Sequence, residues 1–349
     1  MKEGYRLLGD FIQPVDERNR DLKVDYLLGV SISKQFIPSI ANIVGTDLSS
    51  YKIVHTGQFA YGPVTSRNGE KISIALLRDK DCIISSSYTV FEVVNKNALD
   101  PEYLMLWFSR PEFDRYARYM SHGSVREIFD WDELCKVELP VPSIDKQRSI
   151  VKAYQTITER IELKRRINDN LEAVLAASHS KMFFSMDTSE HSKLGELMTF
   201  GNGKSRPKTD GPIPVYGGNG VLSYTDHHNI ENAVLIGRVG AYCGSVYLEQ
   251  GICWVSDNAI FAKSKITKDE FFDYFLLKRL NLFNHHVGTG QQLLTQEILN
   301  NIEVPKPVTE QIELFNRKAA SVFETLFTNS REIIRLQELS DLLLSRLAG

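Results

Sequence analysis

Membrane-spanning runs, a disulfide framework and an excess of positive charge are all missing from this sequence, and each absence excludes something. No stretch of about eighteen apolar residues occurs, so no transmembrane helix is expected. The opening MKEGYRLLGDF lacks the apolar core of a signal peptide, which points to a cytoplasmic protein. The four cysteines, Cys82, Cys135, Cys243 and Cys253, form no C-x-x-C pair and read as small buried hydrophobes in a reducing compartment. The paired histidines His227-His228 and His285-His286 have no third ligand at zinc spacing, and neighbouring side chains on a strand point apart, so no metal is expected. Net charge is −3, from 41 Lys+Arg against 44 Asp+Glu. Bulk electrostatics therefore cannot hold nucleic acid, and any such binding needs local cationic patches or a partner that supplies cations.

Catalytic signatures are missing too. Gly201–Ser205 spells GNGKS, the tail of a phosphate-binding loop, but Met198 stands where the motif needs its first glycine. Neither a glycine-rich cofactor loop nor an N/D-P-P-Y/F base pocket occurs, so the chain is not expected to be a methyltransferase itself. Glu162-Leu163-Lys164 copies a nuclease triplet, yet it falls inside a long helical stretch where successive side chains fan apart. No nucleophile elbow supports a Ser-His-Asp arrangement. A non-catalytic chain is expected.

What the sequence does contain is a repeat. Val137–Gln147 reads VELPVPSIDKQ and Ile302–Gln311 reads IEVPKPVTEQ, with Val137 and Ile302 offset by 165 residues. At that offset Gly123 meets Gly288, Ser124 meets Thr289, Ile128 meets Leu293 and Leu134 meets Leu299. Further back, Pro101–Arg110 matches Asp269–Arg279, and Cys82–Val93 matches Cys253–Lys263. Each half thus has a variable front and a shared back. At 349 residues the chain can fill two domains, each with its own core.

Both backs end in a long helix. Ile150, Tyr154, Ile157, Ile161, Lys164, Asn168, Leu171, Leu175, Ser178 and Met182 step by fours and threes, which is a heptad seam. Phe315, Ala319, Val322, Leu326, Asn329, Ile333, Leu336, Ser340, Leu343 and Leu347 step identically. Helices of such length, about 60 Å at 1.5 Å per residue, bury one apolar stripe most economically against each other. Lys164, Asn168, Asn329 and Ser340 are polar breaks of the kind that fix register and partner. The Pro-to-Gln spacing before the two seams differs by one residue, which suggests a local slip near Ile144. The fronts read as mixed α/β with short strands: Asp81–Val94 as one buried strand, Pro101–Met120 as helix broken at Pro111, Glu231–Lys263 as strands with glycine turns, and Tyr216–Gly220 (YGGNG) as an exposed turn.

This combination resembles the specificity subunit of Type I restriction-modification systems, and equally the similar subunit of Type IIB systems, which suits so compact a chain. The resemblance rests on Leu139–Ile167, Val304–Gln311, Gly203–Tyr224 and Trp254–Lys263, and covers Tyr5 to Leu347. It implies an α+β fold: two α/β target-recognition domains in tandem repeat, joined and separated by two long helices forming an antiparallel coiled coil. The divisions expected are 1–142 and 185–307 for the domains and 143–184 and 308–349 for the helices. It further implies that each domain reads one half of a bipartite, asymmetric site on double-stranded DNA. The implied partners are two methyltransferase subunits, which carry the S-adenosylmethionine that this chain does not bind. Restriction/translocase subunits join them in a Type I system, or a fused methyltransferase-nuclease replaces them in a Type IIB system.

Base reading needs Arg, Lys, Asn, Gln or Ser on exposed loops. Lys34, Arg67, Asn68, Lys71 and Arg126 meet that description in the first domain, and Lys204, Ser205, Arg206, Lys208, Asn219, Arg238, Gln291 and Gln292 in the second. The alternative from another class is a coiled-coil interaction scaffold that never touches DNA. It accounts for the acidic balance and the helices, but not for two divergent fronts with cationic loops.

Overall fold

The computed structural model describes residues 4–39, 45–66, 68–123, 126–184, 190–288 and 290–348. It divides into two compact units, Met1–Leu163 with Ile333–Gly349, and Lys164–Glu332. The long helices are therefore not bodies of their own. Val151, Leu344 and Leu347 belong to the core of the first unit, and Leu175, Ile312, Phe315 and Ala319 to that of the second.

In the first unit, β1 (Tyr5–Leu7) pairs antiparallel with β10 (Glu138–Pro140), so the first P-x-P phrase begins as a strand. A four-stranded sheet runs β2 (Ile12–Val15), β9 (Thr89–Val93), β6 (Phe59–Tyr61), β7 (Ile74–Leu76). Two ribbons flank it, β3 (Leu28–Val30) with β4 (Phe36–Pro38) and β5 (Lys52–Val54) with β8 (Cys82–Ile84). The stretch expected to be one strand is thus two, in different sheets. Ser85 and Ser87 bond each other at 3.0 Å, and Tyr88 N–H donates to the Ser85 carbonyl, so side-chain hydroxyls favour a turn over a continued ladder. Two helices follow, α1 (Pro101–Phe108) and α2 (Pro111–Tyr119), each with proline in its first turn where no N–H is required. Asp100 caps α1 by accepting from the N–H groups of Glu102 and Tyr103. Leu104 and Phe108 join Phe59 and Phe91, stacked at 4.9 Å, in one core, and α3 (Trp131–Cys135) leads into β10.

The second unit repeats the frame. β11 (His191–Lys193) pairs with β18 (Glu303–Pro305) as β1 pairs with β10. Its sheet has six strands in the order β12 (Met198–Asn202), β17 (Ala259–Ser264), β15 (Ile230–Gly237), β16 (Val246–Val255), β13 (Ile213–Gly217), β14 (Gly220–Thr225). The helices α5 (Leu194–Leu197), α6 (Phe271–Arg279) and α7 (Gln296–Asn301) complete it. Burial pushes the thiols of Cys82 and Cys253 up to about 12, so both stay protonated and inert at neutral pH.

The long helices are α4 (Ile144–Phe184, 41 residues) and α8 (Thr309–Ser345, 37 residues). In the first unit the start of α4, at Val151, shares a core with the end of α8, at Leu344. In the second, the later Leu175 shares one with the early Phe315, so the helices run antiparallel in each unit. Ile150, Tyr154, Ile157 and Ile161 of the first helix lie buried or half-buried, as do Ile333, Leu336, Leu343 and Leu347 in the same unit. Leu171, Leu175, Phe315, Val322 and Leu326 do so in the second unit. Ser178 is exposed and its place is taken by the buried His179. A step of four where a heptad steps three follows from the 3.6-residue helical turn.

The one-residue difference between the two phrases is not a slip. Pro142 and Pro307, like the seams, keep the offset of 165, so the counterpart of Gln147 is Ile312 and not Gln311. Both counterparts are buried, at 0% and 1% exposure, and one turn later Val151 matches Asn316, buried at 8% and 3%. The polar residue has moved one helical turn. Gln147 accepts from Asp100 N–H at 2.8 Å and donates to the carbonyls of Ala98 and Pro142, pinning the start of α1 to the start of α4. Asn316 accepts from Phe272 N–H at 2.8 Å and donates to Thr267 Oγ1 and the Asp269 carbonyl, pinning α6 in the same way. Gln147→Ala leaves three half-buried backbone groups without this partner and is expected to destabilise the first unit by about 2 kcal/mol in chemical denaturation. An unchanged denaturation midpoint would remove the pin.

Candidate nucleic-acid interface

The glycines shared by the repeat shape the same hairpin twice. In the first unit His122 and Ile128 exchange both backbone hydrogen bonds, 3.1 and 2.9 Å, and Ile128 bridges Val64. In the second, Val287 and Leu293 exchange theirs at 2.9 Å, and Leu293 bridges Val239. Gly123 and Gly288 hold φ of +140° and +90°, and a Cβ on either would run into the carbonyl oxygen of Arg126 or Gln291, so only glycine fits. Thr65 N–H donates to the Glu127 carbonyl as Gly240 N–H donates to that of Gln292. Phe129 N–H donates to the Pro63 carbonyl as Leu294 N–H donates to that of Arg238. One backbone frame therefore presents Arg126-Glu127 in one unit and Gln291-Gln292 in the other.

Around the first hairpin, exposed Arg126 and half-buried Asn68 border a cavity of about 340 Å³ together with Val30, Ser73 and Tyr88. Arg118 forms an ion pair with Glu127, which ties the end of α2 to the hairpin. Lys71 is exposed. Arg67, with Ser124 and Thr289 of the repeat, lies outside the described residues.

Lys34 does not belong with these residues. Its ammonium donates to Asp114 at 2.5 Å and to the Ile72 carbonyl at 3.0 Å, and its side chain is 11% exposed. Burial holds its pKa below the usual lysine value, with the Asp114 carboxylate opposing that shift. It staples the β3–β4 ribbon to α2, an internal role unavailable to a phosphate.

In the second unit the reading residues gather at one end of the sheet. Asn219 is exposed at the tip between β13 and β14, and a Cβ on neighbouring Gly218 would lie 3.7 Å from Tyr242 and from the Asn258 carbonyl. Arg238 N–H donates to that same carbonyl at 3.1 Å, so tip and loop meet there. Arg238 is half-buried, and its Nε has no hydrogen-bond partner among the described residues. Lys204 bridges Ser256 in the turn before β17, and its side chain is exposed. Lys204, Asn219, Arg238, Gln291 and Gln292 are thereby brought together. Arg206 and Lys208 are not. They are exposed beside Ser223 and Tyr224, and Tyr224 pairs with Pro214 at the open end of the hairpin. Ser205, also exposed, lies between the two groups in sequence.

The sequence pattern does not single out several exposed aromatics, among them Tyr119, 83% exposed at the end of α2, Tyr242 at 49% and Phe283 at 41%. Tyr119 was findable, because it falls off the Phe113–Ala117 face that α2 buries. Tyr242 and Phe283 carry no such signal.

Residues 35–173 and 186–342 each match the family described as Type I restriction modification DNA specificity domain. The MjaIX Type I specificity subunit of Methanocaldococcus jannaschii is 20% identical over 305 residues, 73% of this chain and 70% of that protein. The HindI specificity subunit of Haemophilus influenzae is 24% identical over 154 residues, 42% of this chain and 32% of that one. Among solved structures, the Type I specificity subunit of M. genitalium superposes with a TM-score of 0.66 at 16% identity, covering 99% of this chain and 96% of its own. With two matched segments spanning most of its length and the same fold, the chain belongs to the Type I restriction-modification DNA specificity family.

Proposed function

We propose that this chain is the non-catalytic, sequence-reading subunit of a cytoplasmic restriction-modification complex. Each unit reads one half of a bipartite, asymmetric site on double-stranded DNA, and the helix pair sets the number of base pairs between the halves. The shared backs dock two methyltransferase subunits, which bring S-adenosylmethionine. Restriction/translocase subunits complete a Type I complex, and a fused methyltransferase-nuclease completes a Type IIB one. The observation that carries the reading is the repeated hairpin: one glycine-fixed frame displays an arginine in one unit and glutamines in the other. Arginine suits guanine O6/N7 and glutamine suits adenine N6/N7, so equivalent frames carry unlike half-sites. Asn68, Lys71 and Arg126 serve the first half, and Lys204, Asn219, Arg238, Gln291 and Gln292 the second. Ser205, Arg206 and Lys208 are assigned to phosphates flanking it.

Co-expression with the methyltransferase subunit, followed by mapping of methylated DNA, tests this. A two-part motif with dissimilar halves is expected. Arg126→Ala should weaken discrimination about tenfold to a hundredfold in one half and leave the other unchanged. A complex that assembles yet shows no sequence-dependent methylation would instead favour the scaffold. With its net charge of −3, the isolated chain should bind DNA weakly and lose that binding steeply with salt.

A further inference from the structure

The two seams step identically, so apolar spacing alone does not tell α4 from α8. In principle either helix could pair with its like in a second copy of the chain. One layer distinguishes them. Lys164 Nζ donates to Asn329 Oδ1 at 2.8 Å and meets Glu332 at 2.7 Å, while Asn329 Nδ2 donates to Asn168 Oδ1 at 2.8 Å. Asn329 is 7% exposed, and the Lys164 side chain 17%. Lys164 and Asn329 are also repeat counterparts, 165 residues apart, so the helices meet here at equivalent positions carrying unlike residues.

We propose that this layer is a partner-selecting element: it commits α4 to α8 of the same chain and rejects like-with-like pairing between copies. The chemistry is asymmetric at each position. The counterpart of Glu332 is Ile167 and that of Asn168 is Ile333. Two first helices paired about this point set Lys164 against Lys164, with isoleucine where the glutamate belongs. Two second helices set Asn329 against Asn329, with two Glu332 carboxylates and no lysine. Either arrangement leaves a charge without its partner in a mostly buried seam, which is strongly unfavourable. Only the unlike pairing satisfies all four side chains, in the manner of polar seam residues that choose partners at the expense of stability. The role is independent of the DNA reading.

The test uses the full chain throughout. Asn329→Lys should lower Tm by roughly 5 °C, and the exchange K164N/N329K should recover most of that loss, because one lysine again faces one asparagine beside Glu332. Replacing Lys164, Asn168, Asn329 and Glu332 together by leucine should keep the chain folded but make it self-associate, seen by light scattering as a mass that exceeds the wild type's and rises with concentration. An Asn329→Lys variant as stable as the wild type overturns the proposal. So does an all-leucine variant whose mass matches the wild type's at every concentration.

Discussion

Asp273→Asn is expected to raise the stability of the second unit at pH 8 by roughly 4 kcal/mol, read as a Tm increase of about 8–16 °C. Asp273 sits on α6 at 3% exposure, within a run of buried residues that includes Phe271, Phe272 and Phe275. Its Oδ2 has no hydrogen-bond partner among the described residues. Burial pushes its carboxyl up to about 7; the Ser264 side chain opposes that shift and the neighbouring Glu270 adds to it. Glu270 is itself raised by burial and held by Lys263 at 2.7 Å, so that lysine is already engaged. With the folded pKa above the unfolded value of 3.8, the folded state holds the proton more tightly. The contribution to stability is complete below that value and is lost as pH rises through about 7. Asparagine keeps the neutral shape at every pH. The Tm values of variant and wild type should coincide near the unfolded pKa and diverge as pH rises, and coincidence at pH 8 would refute the assignment.

The parts of the fold legible in sequence are those written in local spacing. The seams, the proline phrases and the Gly123–Gly288 pair each depend on residues a few positions apart, and a 3.5-residue period or a glycine-only φ leaves a direct trace. Lys34 shows where that stops. Its charge is visible, but its partner Asp114 lies 80 residues away, and burial decides that the pair is internal. Arg206 and Asn219 look like neighbours in one loop-rich stretch, yet the β13–β14 hairpin sends them to opposite ends. The matching glutamines Gln147 and Gln311 mislead for a related reason. Letters align by identity, whereas the helix aligns by the face it buries, and on that face Gln147 answers to Ile312 and Asn316 takes over its role one turn later. The candidate reading residues were recognisable by type, but their grouping required the hairpin bonds that cross the chain.

His179→Leu is expected to remove about 3 kcal/mol of acid sensitivity from the same unit, and the two variants together test whether opposing groups flatten its pH profile. His179 is 1% exposed, with its ring 4.7 Å from that of Phe272, 5.3 Å from Phe315 and 6.1 Å from Phe275. Burial, assisted by the Arg279 charge, lowers its pKa to about 4, so the fold requires the neutral ring. The unfolded chain takes up a proton below 6.5, and the stabilising contribution present above that pH is lost as pH falls through about 4. Asp273 acts in the opposite sense over nearly the same interval, gaining stability as His179 loses it. The wild-type Tm should therefore vary little between these limits. His179→Leu unmasks Asp273, giving a Tm that falls as pH rises from 4 to 7, and leucine fits the aromatic pocket without a charge to desolvate. Asp273→Asn unmasks His179, giving a Tm that falls as pH drops from 6.5 to 4. Profiles with the same slope in both single variants would show that neither group governs the titration.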